Sequence, residues 1–142
     1  MKVLSWNCRG VGNPRTGRAI SDLVRSIGPQ VVGLIETKAD LRKIEALKRK
    51  LGFKHGIAVA RSGLGGGLAL LWREEVQVVL KSYSRNHIDA WVGEYDGFRM
   101  TLFYGNPEMG RREETWDLLR SLKQDENQPW LVLGDFNEIL LS

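Results

Sequence analysis

Cysteine is nearly absent from this chain, Cys8 being the only one among 142 residues. A lone thiol cannot close an internal disulfide, which excludes the stapled secreted folds and fits a reducing compartment. Histidine is almost as scarce, with His55 and His87 only. Neither stands in a setting that would activate a thiolate, so Cys8 reads as a small buried residue at a strand end. No apolar run approaches the roughly 20 residues that span a bilayer. The opening Met1-Lys2-Val3-Leu4-Ser5-Trp6 turns polar at Asn7-Cys8-Arg9, unlike a secretory leader. The expectation is an intracellular, non-secreted protein, with the nucleus as a candidate compartment. Internal repeats, low-complexity tracts and linkers are also missing.

What is present is an ordinary globular composition, 42% hydrophobic and 27% charged, enough for one domain. The net charge of +4 is unevenly spread. Residues 1–71 carry 13 basic and 4 acidic side chains, a net +9, and residues 72–142 carry 8 and 13, a net −5. A basic first half can attract a polyanion. Arg42, Lys43, Lys48, Arg49 and Lys50 fall on one surface helix, and for that cluster a solvated face is the expectation.

Segment types alternate along the first part. Lys2–Trp6 is a short apolar strand. Asn13-Pro14 starts a helix, asparagine capping and proline in the first turn, and Ile20, Leu23, Val24 and Ile27 give it one apolar face. Gly28-Pro29 stops it. Gln30–Glu36 reads as a strand covered on both faces. Asp40 caps a second helix with Leu41, Ile44, Leu47 and Leu51 inward, ended by Gly52. Residues 53–60, 68–72, 76–84, 87–95 and 98–104 then read as the strands of an antiparallel meander, with Asp96-Gly97 as a two-residue hairpin turn. A helix over 111–123 places Trp116, Leu119 and Leu122 inward, and 129–134 forms a last buried strand. This order predicts a mixed α/β fold with one mixed sheet and helices on one face. Three strands look apolar on both sides, so something further must cover the other face.

Polar residues stand at the strand ends. Asn7 follows the first strand, Glu36 ends the second, Tyr104 ends the meander, and Asp135 and Asn137 follow the final strand. Converging on one rim, they suit phosphodiester hydrolysis. Glu36 can bind a hard divalent cation such as Mg²⁺ (Mn²⁺ as a substitute). Asp135 can orient or deprotonate a water. Asn7 and Asn137 can fix a metal shell or a phosphate without adding negative charge, and the Tyr104 hydroxyl can donate to a phosphate oxygen. Singly, each has a plainer reading: a solvated glutamate, turn-forming Asp and Asn, a half-buried tyrosine. Gly63-Leu64-Gly65-Gly66-Gly67 lacks the Gly-Lys-Ser/Thr ending of a phosphate loop and reads as a turn. Trp6, Trp72, Trp116 and Trp130 read as core, and Trp91 stays open between core and surface. Arg9, Arg15 and Arg18 flank the Asn7 loop, either against phosphate or solvated.

Ser5-Trp6-Asn7, Ile35-Glu36-Thr37, Phe103-Tyr104 and Leu133-Gly134-Asp135-Phe136-Asn137 resemble, in order, the motifs of the endonuclease/exonuclease/phosphatase (DNase I-like) superfamily. Trp6 to Gly10, Asn86 to Asp89 and Gly134 to Leu140 look most like plant LINE-type non-LTR retrotransposon endonucleases. The resemblance implies Glu36 and Asn7 at a Mg²⁺ site, Tyr104 and Asn137 on the phosphate and Asp135 on the nucleophilic water, with DNA as partner. Asn106 comes one position early against the pattern. The resemblance further implies a four-layer α/β/β/α sandwich of which residues 1–142 are the first half. The rest of the domain, with an Asp-His pair, and a reverse transcriptase region would lie downstream. The apolar stretch at Ile139-Leu140-Leu141-Ser142 is read the same way. Two other readings stand beside the endonuclease: an inactive remnant or weak nucleic-acid-binding module, and a phosphoesterase acting on a phosphoinositide or other small substrate.

Overall fold

The structure, a computed structural model, describes residues 1–63, 65–105, 111–123 and 128–136. The chain runs β1 (Val3–Asn7), α1 (Pro14–Ile27), β2 (Val31–Ile35), α2 (Leu41–Leu51), β3 (His55–Val59), β4 (Leu68–Trp72), β5 (Val78–Tyr83), β6 (His87–Val92), β7 (Phe98–Tyr104), α3 (Arg112–Leu122) and β8 (Trp130–Asp135). The starts of α1 and α2 are those that the capping residues dictate. Asn13 accepts the amide of Arg15 and Asp40 that of Lys43, and both helices end on a left-handed glycine, Gly28 and Gly52.

The mixed α/β class holds, but the strands divide differently from the expectation. The described residues form two four-stranded sheets, ordered β1-β2-β4-β3 and β5-β6-β7-β8, not one. The meander is confined to β5, β6 and β7, because β4 inserts between β2 and β3. Side-chain alternation explains the split. Val32 and Leu34 of β2, with Ala69 and Leu71 of β4, pack against Ile20 and Val24 of α1 and Ile44, Leu47 and Leu51 of α2. Val31 and Ile35, with Leu68, Leu70 and Trp72, face Ile88, Ala90, Val92, Met100 and Leu102 of the second sheet. The chain's own β5–β8 thus cover the face that seemed to need an outside partner. Each fully buried aliphatic side chain contributes roughly 1.5–3 kcal/mol to this double core. The sheets approach so closely at Gly33 that a side chain there would stand 2.8 Å from Leu102 Cδ1.

Four local expectations are corrected. Leu41, expected inward, is the first residue of α2 and is 57% exposed, and the buried stripe begins only at Ile44. The β6–β7 connection spans residues 93–97, since Val92 pairs with Phe98 and Gly93 (φ 94°) already leaves the strand; it is not a two-residue turn. Among the described residues β8 is an edge strand, paired with β7 alone, and its Leu131 is 37% exposed rather than buried. Trp6 is likewise 36% exposed on the edge strand β1, not core. Cys8 is buried as expected, and burial pushes its thiol pKa up to about 12, which leaves no reactive thiolate. On the outer side of the second sheet, Trp116 of α3 stacks on Phe136, which in turn lies against Phe103 of β7. The layers therefore run helices, sheet, sheet, helix. Among the described residues no helix is long and apolar enough to cross a membrane.

Candidate active site

Two β-α-β units place the strand ends. β1 and β2 are parallel, joined through α1, with Asn7 opposite Ile35. β7 and β8 are parallel, joined through the segment containing α3, with Tyr104 opposite Asp135. A parallel pair brings two C-terminal ends to the same side. The two units meet where Asn7 Nδ2 donates to Asp135 Oδ2 at 2.9 Å. Asn7, Glu36, Tyr104 and Asp135 accordingly share one rim, as their strand-end positions predicted. Asn137 and Asn106 lie outside the described residues.

Glu36 is held in an unusual way. It adopts φ 54°, a left-handed conformation that costs a non-glycine residue roughly 1–2 kcal/mol. Backbone hydrogen bonds clamp it from both sides. Gly10 N–H donates to the Glu36 carbonyl at 2.9 Å and Val11 N–H to that of Thr37. Thr37 and Lys38 N–H donate to the carbonyls of Gly67 and Gly66, at 3.1 and 2.8 Å. Gly67 (φ 94°) is pressed on the Thr37 hydroxyl with no room for a Cβ. The glycine-rich segment expected to be a mere turn is one jaw of this clamp. Lys38 Nζ lies 3.5 Å from the Glu36 carboxylate. Among the described residues the buried Thr37 hydroxyl has no hydrogen-bond partner, so a polar group is desolvated beside Glu36.

Asn7 is fixed at both ends of its amide, for its Oδ1 accepts the Arg9 N–H at 3.1 Å. Asp135, with one oxygen engaged by Asn7, is half-buried. Tyr104 is braced by Asn86, whose Nδ2 donates to the Tyr104 carbonyl and whose carbonyl accepts the Tyr104 N–H, both at 2.8 Å. Asn86 in turn donates its N–H to Ser84 Oγ, which also pairs with His87 Nδ1 at 2.6 Å. Sequence reasoning missed Asn86, Thr37, Gly66 and Gly67 as supports of the site. Only the two positive-φ neighbours of Glu36–Lys38 betray their work, and backbone angles are not legible in residue types.

The donors offered here are hard oxygens from Glu36 and Asn7. Among the described residues no group of three or more His, Cys, Asp or Glu side chains could cage a metal. Such a donor set fits an ion like Mg²⁺, which keeps most of its waters and needs only one or two carboxylates. It does not fit a protein-caged zinc.

Solved structures with this fold are numerous. The 3′ phosphatase NExo from Neisseria, bound to a product DNA hairpin, superposes with a TM-score of 0.72 at 22% identity, over 96% of this chain and 58% of that one. The human Nocturnin catalytic domain with bound sulfate gives 0.70 at 16%, over 96% and 64%. An AP endonuclease from Archaeoglobus fulgidus gives 0.69 at 19%, over 96% and 57%. The chain thus spans less than two thirds of the length of each. No curated protein sequence matches it. A family model does match, over residues 4–141, and members of that family are hydrolases acting on phosphodiester bonds. With that match spanning almost its whole length, the chain belongs to the Endonuclease/Exonuclease/phosphatase family.

Proposed function

We propose that the rim of Asn7, Glu36, Tyr104 and Asp135 serves metal-dependent hydrolysis of a phosphodiester in DNA. The observation that carries this reading is the Asn7–Asp135 bond at 2.9 Å, which brings polar strand ends from the two sheets together within the span that the family model matches. Glu36 and Asn7 would hold Mg²⁺, with Mn²⁺ as a substitute; family members generally depend on a divalent metal. When bound, the ion supplies positive charge against the phosphoryl oxygens. Asp135 orients the attacking water and accepts its proton as one P–O bond is exchanged for another. The Tyr104 hydroxyl donates to a phosphate oxygen, and Asn137 orients the same group. The strained backbone of Glu36 supports the reading, since left-handed non-glycine residues concentrate at functional sites.

The finer proposal is an endonuclease of the non-LTR retroelement type, acting in the nucleus. Trp6 to Gly10, Asn86 to Asp89 and Gly134 to Leu140 support it. We further propose that these residues form the first portion of a larger catalytic unit, with a reverse transcriptase region beyond it. Two features support the larger unit: the share of the solved structures that the chain spans, and the adjacent edge strands β1 and β8, with Leu131 of β8 exposed. In that case the 142 residues alone are inactive.

Nicking of supercoiled plasmid with Mg²⁺ tests this, using the chain alone and the chain extended by its downstream coding sequence. The extended protein should nick, and Glu36→Ala and Asp135→Ala should each lower the rate about 100-fold or more. Nicking that survives both substitutions overturns the assignment.

A further inference from the structure

The rim uses neither the net +9 of residues 1–71 nor the exposed Trp6. Three grooves, of about 520, 560 and 680 Å³, open on the helical side of the first sheet. The first, between the later turns of α1 and α2, is walled by Arg18, Arg25, Lys50 and Arg73. The second shares Arg18 and Lys50, adds Lys43 and reaches Asn13. The third shares Asn13, adds Arg15, Arg9 and Trp6, and ends on Asn7. Shared walls make these one track, running the 14 residues of α1, roughly 21 Å, to the rim.

Charge distinguishes the track from an ordinary solvated face. Among the described residues the one carboxylate along it, Asp22, pairs with Arg25 at 3.9 Å. Among the described residues Arg9, Arg15, Arg18, Lys43 and Lys50 have no ion pair, whereas Lys48, on the same helix but off the track, pairs with Glu45 at 2.8 Å. Lys50 Nζ lies across α1, 3.7 Å from where a Cβ of Gly17 would stand. A glycine inside a helix costs about 1 kcal/mol relative to alanine, and here it makes space for a cation. Unpaired cations in a concave row repel one another until a polyanion fills it. Trp6 shares its side of β1 with Leu4, which packs toward the helices, so its exposed indole stands where the track meets the rim. An aromatic face at the end of a basic groove is a stacking platform for an unpaired base.

We propose that this track binds the sugar-phosphate backbone of a single-stranded nucleic acid, with a base stacked on Trp6 as the strand reaches the rim. The proposal deepens the hydrolytic reading by making the substrate an extended strand, and rests on that reading only for the direction in which the strand leads. The test is fluorescence anisotropy of the full chain with labelled oligodeoxythymidines of 4 to 20 nucleotides. EDTA is present, so binding is read apart from cleavage. Arg18→Glu/Lys43→Glu/Lys50→Glu should weaken binding at least tenfold and flatten the slope of log affinity on log salt by about 2, the share of three phosphates. The charge-matched Arg42→Glu/Arg49→Glu/Lys54→Glu, off the track, should change affinity less than threefold. Trp6→Ala should cost about tenfold. Circular dichroism confirms folding, all these substitutions being at exposed positions. Equal losses from both triple variants, no gain in affinity with oligonucleotide length, absence of binding, or preference for phosphatidylserine vesicles or an acidic peptide would each overturn the proposal. Failure to nick DNA counts only against the rim.

Discussion

Asn7 Nδ2 donates to Asp135 Oδ2 at 2.9 Å across 128 residues of sequence, and so ties the edge strand of one sheet to the edge strand of the other. The same amide accepts the Arg9 N–H, so its orientation is set from both sides. An amide suits this place, because it can donate to a carboxylate while its own oxygen accepts a backbone N–H.

Asn7→Asp replaces that donor with a second carboxylate at hydrogen-bonding distance. Like charges raise one of the two pKa values above the unfolded range. A carboxylate with a raised folded pKa is stable in its protonated form and loses stability as pH rises. The variant should therefore melt closer to the native protein at pH 5 than at pH 7.5, by thermal denaturation at both. Any nicking activity of the extended protein should fall about 10- to 100-fold, as for loss of a supporting partner.

Glu36→Gly should separate stability from activity. Relief of the left-handed strain at φ 54° should raise unfolding free energy by about 0.5–1 kcal/mol, offset in part by glycine's entropy. Metal-stimulated cleavage should be lost. Gly67→Ala should do the opposite to the fold, destabilising it by about 2 kcal/mol, because its Cβ meets the Thr37 hydroxyl. Urea titration of the two variants checks both signs.

Asp89 and Arg99 form a buried bidentate pair, with Thr101 donating to the same carboxylate and Trp130 stacked under the guanidinium. Asp89→Ala strands a buried cation and should cost about 3–5 kcal/mol. Asp89→Leu/Arg99→Met, which removes both charges, should cost less than that single change. A double-mutant comparison by denaturant unfolding decides it.

His87 is buried between Ser82 Oγ at Nε2 and Ser84 Oγ at Nδ1, with Asp89 and Arg99 on the same face. Burial pushes its pKa below the ordinary 6.5; Asp89 opposes that shift and Arg99 adds to it. A histidine with a lowered folded pKa contributes stability that is complete above its unfolded pKa and is lost as pH falls. Stability should therefore decline as pH is lowered from about 6.5, and His87→Gln should flatten that part of the curve. Melting temperatures between pH 5 and 8 test the difference.

The strand-end site was legible in part. Asn7, Glu36, Tyr104 and Asp135 stand at element ends that caps and alternation mark, so local chemistry located them. Their supports were not legible. Asn86 braces Tyr104, and Gly66 and Gly67 clamp Thr37 and Lys38, through backbone atoms that every residue type shares. Asn137 lies outside the described residues.

By itself the sequence determined the elements and most of their facing, though Leu41 and Trp6, read as inward, are exposed. Asn13 and Asp40 cap helices through bonds two or three residues long, and apolar alternation follows from the strand's period of two. It also marked both faces of β2 and β4 as buried. Only the tertiary structure decided what buries them. β4 inserts between β2 and β3, β5 to β8 close into a second sheet over Gly33, and β8 is left at an edge beside β1. Those choices depend on pairings between distant segments that many sequences of the same pattern could satisfy. The Asn7–Asp135 bond exists because of them.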